Sequence, residues 1–125
     1  MWIGDRSSGR VNRVIFHHEI ADDRATALSL ELPEKAKFAL YQHLTLTKES
    51  ILALLHTHPF DWVDLSPIDQ ANQISSRVGF WSIVLPHYAR TPWSTRTAGF
   101  HILDHNGWVR LTEAEVVAAI TVTAS

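Results

Sequence analysis

The chain has 125 residues, of which 46% are hydrophobic and 19% charged, with a formal net charge of −2. That suits one domain (1–125) able to bury its own core, and it excludes the strongly basic surface of a nucleic-acid binder or a polybasic membrane protein. With no cysteine it forms no disulfide and offers no thiolate to a metal; no apolar run approaches bilayer-spanning length and no signal peptide opens the chain, so a cytoplasmic protein is expected.

Met1-Trp2-Ile3 is an apolar start, Gly4 to Gly9 a turn cluster, and Val11 to Ile20 a strand, which together predict a hairpin. A chain that begins directly in a strand is expected to lack an N-terminal helix and the start of that strand. After the polar turn Ala21-Asp22-Asp23-Arg24, residues Ala27 to Leu32 alternate apolar and polar and read as a half-buried strand. Pro33 and Glu34 open a helix to about His43 or Leu44, with Ala36, Leu40 and Leu44 on one face. Ser50 to His58 is the next strand, apolar on both faces from Ile51 to Leu55 and therefore central in its sheet. A helix from Ser66 to about Arg77 follows, then a buried strand from Val78 to Leu85 and a loop from His87 to Thr97. Ala98 to Leu103 and Trp108 to Leu111 form a hairpin with Asn106-Gly107 as its turn signal. Thr112-Glu113-Ala114-Glu115 is a capping box for a short helix carrying Val116, Val117, Ala119 and Ile120. The expected class is α/β, in layout an α+β mixed sheet that is curved and has helices packed on it.

The chemistry gathers around one stretch. His56 and His58 end the central strand at i and i+2, so both imidazoles share a face. Pro59 stops the strand. Ser66-Pro67-Ile68-Asp69 starts the next helix, with Ser66 as N-cap and Pro67 at the first helical position. Asp69 then lies in the first turn, where it can face back toward the strand end. Two neutral imidazoles and a carboxylate converging there would hold one divalent metal and leave a coordination position free. Such a donor set suits zinc and also accommodates manganese, iron or cobalt. Each fragment alone has a plain structural reading: H-x-H on a strand is commonly incidental, and Ser-x-x-Asp caps helices.

Other conspicuous residues read as structural. His17 and His18 are adjacent on a strand and point to opposite faces. His101 and His105 are expected on the surface of a hairpin. Trp62 and Trp93 lie in loops, where they can rim a groove or cover the core, whereas Trp81 and Trp108 are packing residues.

The combined pattern is H-T-H-P at 56–59, six residues, then S-P-I-D at 66–69. It resembles the signature of the JAMM (JAB/MPN) metalloprotease family. Gly79 to Ala89 is also similar to the strand after the metal-site helix in bacterial JAB proteins, which are often associated with ubiquitin-like and E1-like components. The resemblance implies a cytidine-deaminase-like curved sheet flanked by helices, with His56, His58 and Asp69 holding one zinc ion (Zn2+). It implies that Ser66 donates to a developing oxyanion, a role that stands beside its plain reading as N-cap. It further implies a general-base Glu shortly before the glycine that ends the first strand. Here Trp2-Ile3-Gly4 looks like that strand end, so the expected Glu falls upstream of Met1. Glu19 is the nearest substitute, and Glu31 and Glu34 fare no better.

The implied substrate is an isopeptide or peptide bond after the tail of a ubiquitin-like protein, held extended as an added strand. A bacterial conjugation or antiphage pathway is the implied setting. Two other readings stay open: a catalytically silent MPN-type module that binds a ubiquitin-like or E1/E2-like partner, and a metallohydrolase for a small amide or carbamate.

Overall fold

In the computed structural model, which describes residues 1–16 and 34–123, the chain is an α+β protein with a six-stranded mixed sheet. The strands are β1 (Trp2–Asp5), β2 (Arg10–Val14), β3 (Ser50–Thr57), β4 (Trp81–Leu85), β5 (Gly99–Asp104) and β6 (Gly107–Arg110). They lie in the order β2-β1-β3-β4-β5-β6. Three helices are described: α1 (Glu34–Thr47), α2 (Pro67–Ala71) and α3 (Glu113–Ala119). Neighbouring strands pair antiparallel except β3 and β4, whose parallel pairing requires the crossover through α2.

β3 is paired on both sides, as a strand without a polar face must be. A bulge shapes it: Trp2 lies opposite Ala53 but Ile3 opposite Ile51, leaving Leu52 as the extra residue. Ile51 and Leu54 therefore serve the same core, with Ile3, Leu40, Leu44 and Phe80. The helix α1 closes that core with the row Ala36, Leu40 and Leu44 that the sequence predicts. On the opposite face Ala53, Ile83 and Phe100 pack against Val116 of α3, which begins with the expected Thr112–Glu115 capping box. Trp81 meets Phe100 edge-on, and Trp108 meets Phe80 likewise, so both tryptophans are packing residues.

Several boundaries differ from the sequence expectation, each for a local reason. The helix α1 continues to Thr47 and is closed by Lys48 at φ 57°, with the Glu49 N–H reaching the Leu44 carbonyl at 3.1 Å. The helix α2 stops at Ala71 rather than near Arg77. The Gln73 side chain donates to the Asp69 carbonyl at 2.9 Å and to Ser82 Oγ at 3.2 Å, which draws the chain down onto the sheet. Val78-Gly79 form a turn, not a strand: the Phe80 N–H bonds the Arg77 carbonyl at 3.0 Å and Gly79 takes φ +92°. The last hairpin turns on His105-Asn106, and Gly107 follows at φ +125°. β2 ends at Val14, short of Ile15 and Phe16; residues 17–20 of that expected strand, the expected strand at 27–32, and His17, His18, Glu19 and Glu31 lie outside the described residues. Among the described residues no helix is long and apolar enough to cross a membrane.

Candidate metal centre

β3 delivers His56 as its penultimate residue, 8% exposed, and the next residue on that face is His58. Although His58 follows the strand, its N–H still pairs with the Leu85 carbonyl at 2.9 Å, extending the parallel ladder by one residue. The helix α2 delivers Asp69 through a reciprocal cap. Ser66 Oγ accepts the Asp69 N–H at 3.1 Å, and Asp69 Oδ2 accepts the Ser66 N–H at 2.8 Å. The carboxylate is thereby aimed by the same bonds that start the helix.

One donor atom from each of His56, His58 and Asp69 lies within 4.8 Å of the others, so these residues are clustered and able to hold a metal ion. His58 Nε2 is 3.1 Å from Asp69 Oδ2, and His56 Nε2 is 3.4 Å from Asp69 Oδ1. Donors around a four-coordinate zinc sit about 3.3 Å apart, so these separations suit one small ion.

The hydrogen bonding points the same way. His58 Nδ1 is 2.9 Å from the Trp62 carbonyl. A carbonyl only accepts, which assigns a proton to Nδ1 and leaves Nε2 turned toward the carboxylate. Two acceptors face each other there unless a second proton or a cation lies between them. His56 Nε2 is buried with no hydrogen-bond partner, an arrangement expected of a ligand nitrogen and costly otherwise.

Burial, the largest influence on His56, pushes its pKa below the ordinary histidine value, with Asp69 opposing. The neutral ring that ligation needs is thus the favoured one. Burial alone would raise the Asp69 pKa; the Ser66 backbone N–H, the largest opposing influence, holds the carboxyl below its ordinary value instead.

Residues outside the sequence motif hold this loop in place. His87, Tyr88 and Ala89 all take left-handed φ values of 54°, 55° and 58°. Such residues cost on the order of 1 kcal/mol or more each. In return the His87 N–H reaches the Phe60 carbonyl at 2.9 Å and the Tyr88 N–H reaches the His58 carbonyl at 2.8 Å. Trp62 is half-exposed and its ring stacks on His58, 5.2 Å between centroids and 8° between planes. It rims the site and does not cover the core.

The sequence reading of His101 is corrected by the structure. It is 3% exposed, not a surface histidine, because Ser82↔His101 is an interior register pair facing the α2 side of the sheet. Its Nδ1 lies 3.2 Å from the Ser82 carbonyl, and its buried Nε2 lies 3.8 Å from Asp64 Oδ1, which Arg110 also holds. Burial lowers the His101 pKa, with the Ser82 carbonyl acting in the other direction. His105 is exposed, as expected. The available signal was the strand itself: a histidine inside the otherwise apolar run Ala98 to Leu103 is poorly placed for a surface role. Gly99 completes the arrangement, since a Cβ there would lie 2.0 Å from the Val63 carbonyl oxygen. The loop between the ligands therefore rests directly on β5.

Among the described residues, no other carboxylate joins His56, His58 and Asp69. Glu34 sits in the first turn of α1 beside Lys37. Comparison of the sequence with protein-family models finds none that matches, and no curated protein is similar to it at a significant level.

Proposed function

We propose that this chain is a JAB/MPN-type metallohydrolase, a zinc-dependent isopeptidase or peptidase acting at the tail of a ubiquitin-like protein. The observation that carries the proposal is the convergence of His56, His58 and Asp69 within 4.8 Å, next to Ser66, in the H-T-H-P and S-P-I-D spacing. A zinc ion held by His56, His58 and Asp69 would supply Lewis acidity and a water acidic enough to be a nucleophile near neutral pH.

The chain's own groups divide the remaining work. His56 and His58 would hold the ion as neutral imidazoles and Asp69 would contribute the negative charge, its direction fixed by the cap. Ser66 Oγ already accepts the Asp69 N–H, so its hydroxyl hydrogen remains to be donated to the oxygen of a carbonyl under attack. β1 runs antiparallel to β3 with Trp2 opposite Ala53. Its N-terminal end therefore approaches His56, the side from which the family's general base would act.

A specific observation supports a second reading, the catalytically silent module that binds a ubiquitin-like or E1/E2-like partner. Among the described residues no Glu joins the group formed by His56, His58 and Asp69. One experiment separates the two readings. The purified chain, loaded with zinc, is incubated with a ubiquitin-like protein fused through its tail to a reporter. The enzyme reading expects cleavage that a chelator abolishes. It also expects Ser66→Ala to slow cleavage by about 10²-fold or more while zinc content is unchanged. Loss of the cap alone costs only about 1 kcal/mol of stability. Binding of the fusion without cleavage would favour the silent module, and neither binding nor cleavage would defeat both.

A further inference from the structure

A second concavity lies away from the metal centre, toward the other end of β3 and on the face that α3 covers. It has a volume of about 880 Å³, within the range of small-molecule sites. Its floor is Ala53 with the half-buried rings of Trp2 and Trp81, and its wall includes the first residues after α3. Three arginines, Arg6, Arg10 and Arg77, line it, and no described acidic residue does. Four arginine or lysine residues elsewhere pair with carboxylates, namely Arg13, Lys37, Arg96 and Arg110. The three around the cavity have no such pairing among the described residues.

The three cations are held in different ways. Arg77 is anchored: its Nη2 donates to the Ile51 carbonyl at 3.0 Å, and its Nη1 would lie 3.9 Å from a Cβ placed on Gly79. Arg6 and Arg77 line the same cavity, and burial and then the Arg6 charge both lower the Arg77 pKa. Arg6 and Arg10 flank a tight turn in which Gly9 takes φ +72° and its N–H bonds the Asp5 carbonyl at 2.8 Å. Asp5, opposite Arg10 in the β1–β2 ladder, gives its carboxylate to Ser7 and Ser8 and does not line the cavity, so like charges gather there and an anion relieves their repulsion. Guanidinium groups suit phosphate oxygens in particular, and indole rings suit a flat ring beside them.

We propose that this cavity is a ligand site for a phosphorylated compound with a flat ring, the chemistry of a nucleoside monophosphate. Phosphate is held by Arg6, Arg10 and Arg77, and the ring lies against Trp2 and Trp81. The site is independent of the metal centre, because it shares no residue with His56, His58, Ser66 or Asp69.

The test is an NMR titration of the full chain with AMP, with adenosine and inorganic phosphate as separate arms. The expected result is saturable shifts of the Trp2 and Trp81 indole N–H and Gly9 amide signals, with a Kd at or below about 1 mM for AMP. Adenosine and phosphate should each bind at least about tenfold more weakly, because each forfeits one half of the contacts. Arg6→Gln/Arg10→Gln, a double change at exposed positions in the β1–β2 turn and at the start of β2, should weaken AMP about tenfold without altering the fold's spectrum. The same titration in chelator should be unchanged. The inference is overturned if AMP leaves those signals in place, if adenosine matches AMP, if the double variant binds AMP as the parent does, or if the shifts track metal content.

Discussion

Replacing Asp69 by Asn tests the metal centre most directly, because the change is nearly isosteric and the cap tells which way the amide turns. Asp69 Oδ2 accepts the Ser66 N–H at 2.8 Å, so the Asn oxygen takes that place and its NH2 takes the place of Oδ1. The NH2 then faces His56 Nε2, which stands 3.4 Å from Oδ1 and has no other partner. A donor is thus aimed at the nitrogen that ligation needs, and the one anionic ligand is gone. Removing a group that merely orients a ligand costs 10–100-fold in affinity, so this change should cost about 100-fold or more. With free zinc at about one hundred times the wild-type Kd, the wild-type fold gains about 2.7 kcal/mol, and the variant about 0.4 kcal/mol. For a chain of this size that corresponds to a zinc-induced rise in Tm of about 10 °C for wild type and about 1–2 °C for Asp69→Asn. Thermal melts with zinc and with chelator measure both. Equal zinc-induced shifts in the two proteins would refute the assignment of Asp69 as a ligand.

Two further outcomes follow from the groups beneath the loop. The pKa values of His56 and His101 lie below the ordinary 6.5 in the folded chain, so the unfolded chain takes up protons first. Their contribution to stability is full above about pH 6.5 and is lost as pH falls through the folded values. In chelator, the urea midpoint should therefore fall between about pH 7.5 and about pH 5.5, and less steeply in His101→Leu; identical slopes would mean that His101 is solvated. Gly99→Ala should cost about 3 kcal/mol or more, because the new methyl meets a backbone oxygen that cannot move alone. Its zinc affinity should fall as well. An unchanged denaturation midpoint would mean that the Val63 segment stands off the sheet.

The parts of this molecule legible in the sequence are those set by local rules. The H-x-H spacing and the Ser66-Pro67 start bring His56, His58 and Asp69 together, since strand alternation and helix capping act over a few residues. The same holds for the α1 row and the Thr112 cap. What was not legible depends on distant partners. The end of α2 is decided by Gln73 reaching Ser82 on β4, and the partners His101 meets are decided by its register beside that same residue. The Leu52 bulge is decided by how β1 pairs with β3. Three consecutive left-handed residues at 87–89 include no glycine, and no propensity predicts them. They are maintained by bonds to Phe60 and His58, residues remote from them in sequence.

The position of the site follows from the topology. β3 and β4 are the parallel pair in a sheet whose other described pairings are antiparallel, so the chain must leave the end of β3, cross one face and return. That crossing opens a space beyond the carboxyl ends of the two strands, where the sheet's connectivity changes direction and where ligands gather in open sheets. His56 and His58 emerge into that space from β3, Asp69 enters it at the start of the crossover helix, and the left-handed turn closes it from the end of β4. Connections that only joined β3 to β4 and β4 to β5 would need neither the three left-handed residues after β4 nor a buried imidazole nitrogen without a hydrogen-bond partner at the end of β3. The first cost falls on the turn whose Tyr88 N–H holds the His58 carbonyl and the second on His56 itself, which is what a site kept for its ligand geometry requires.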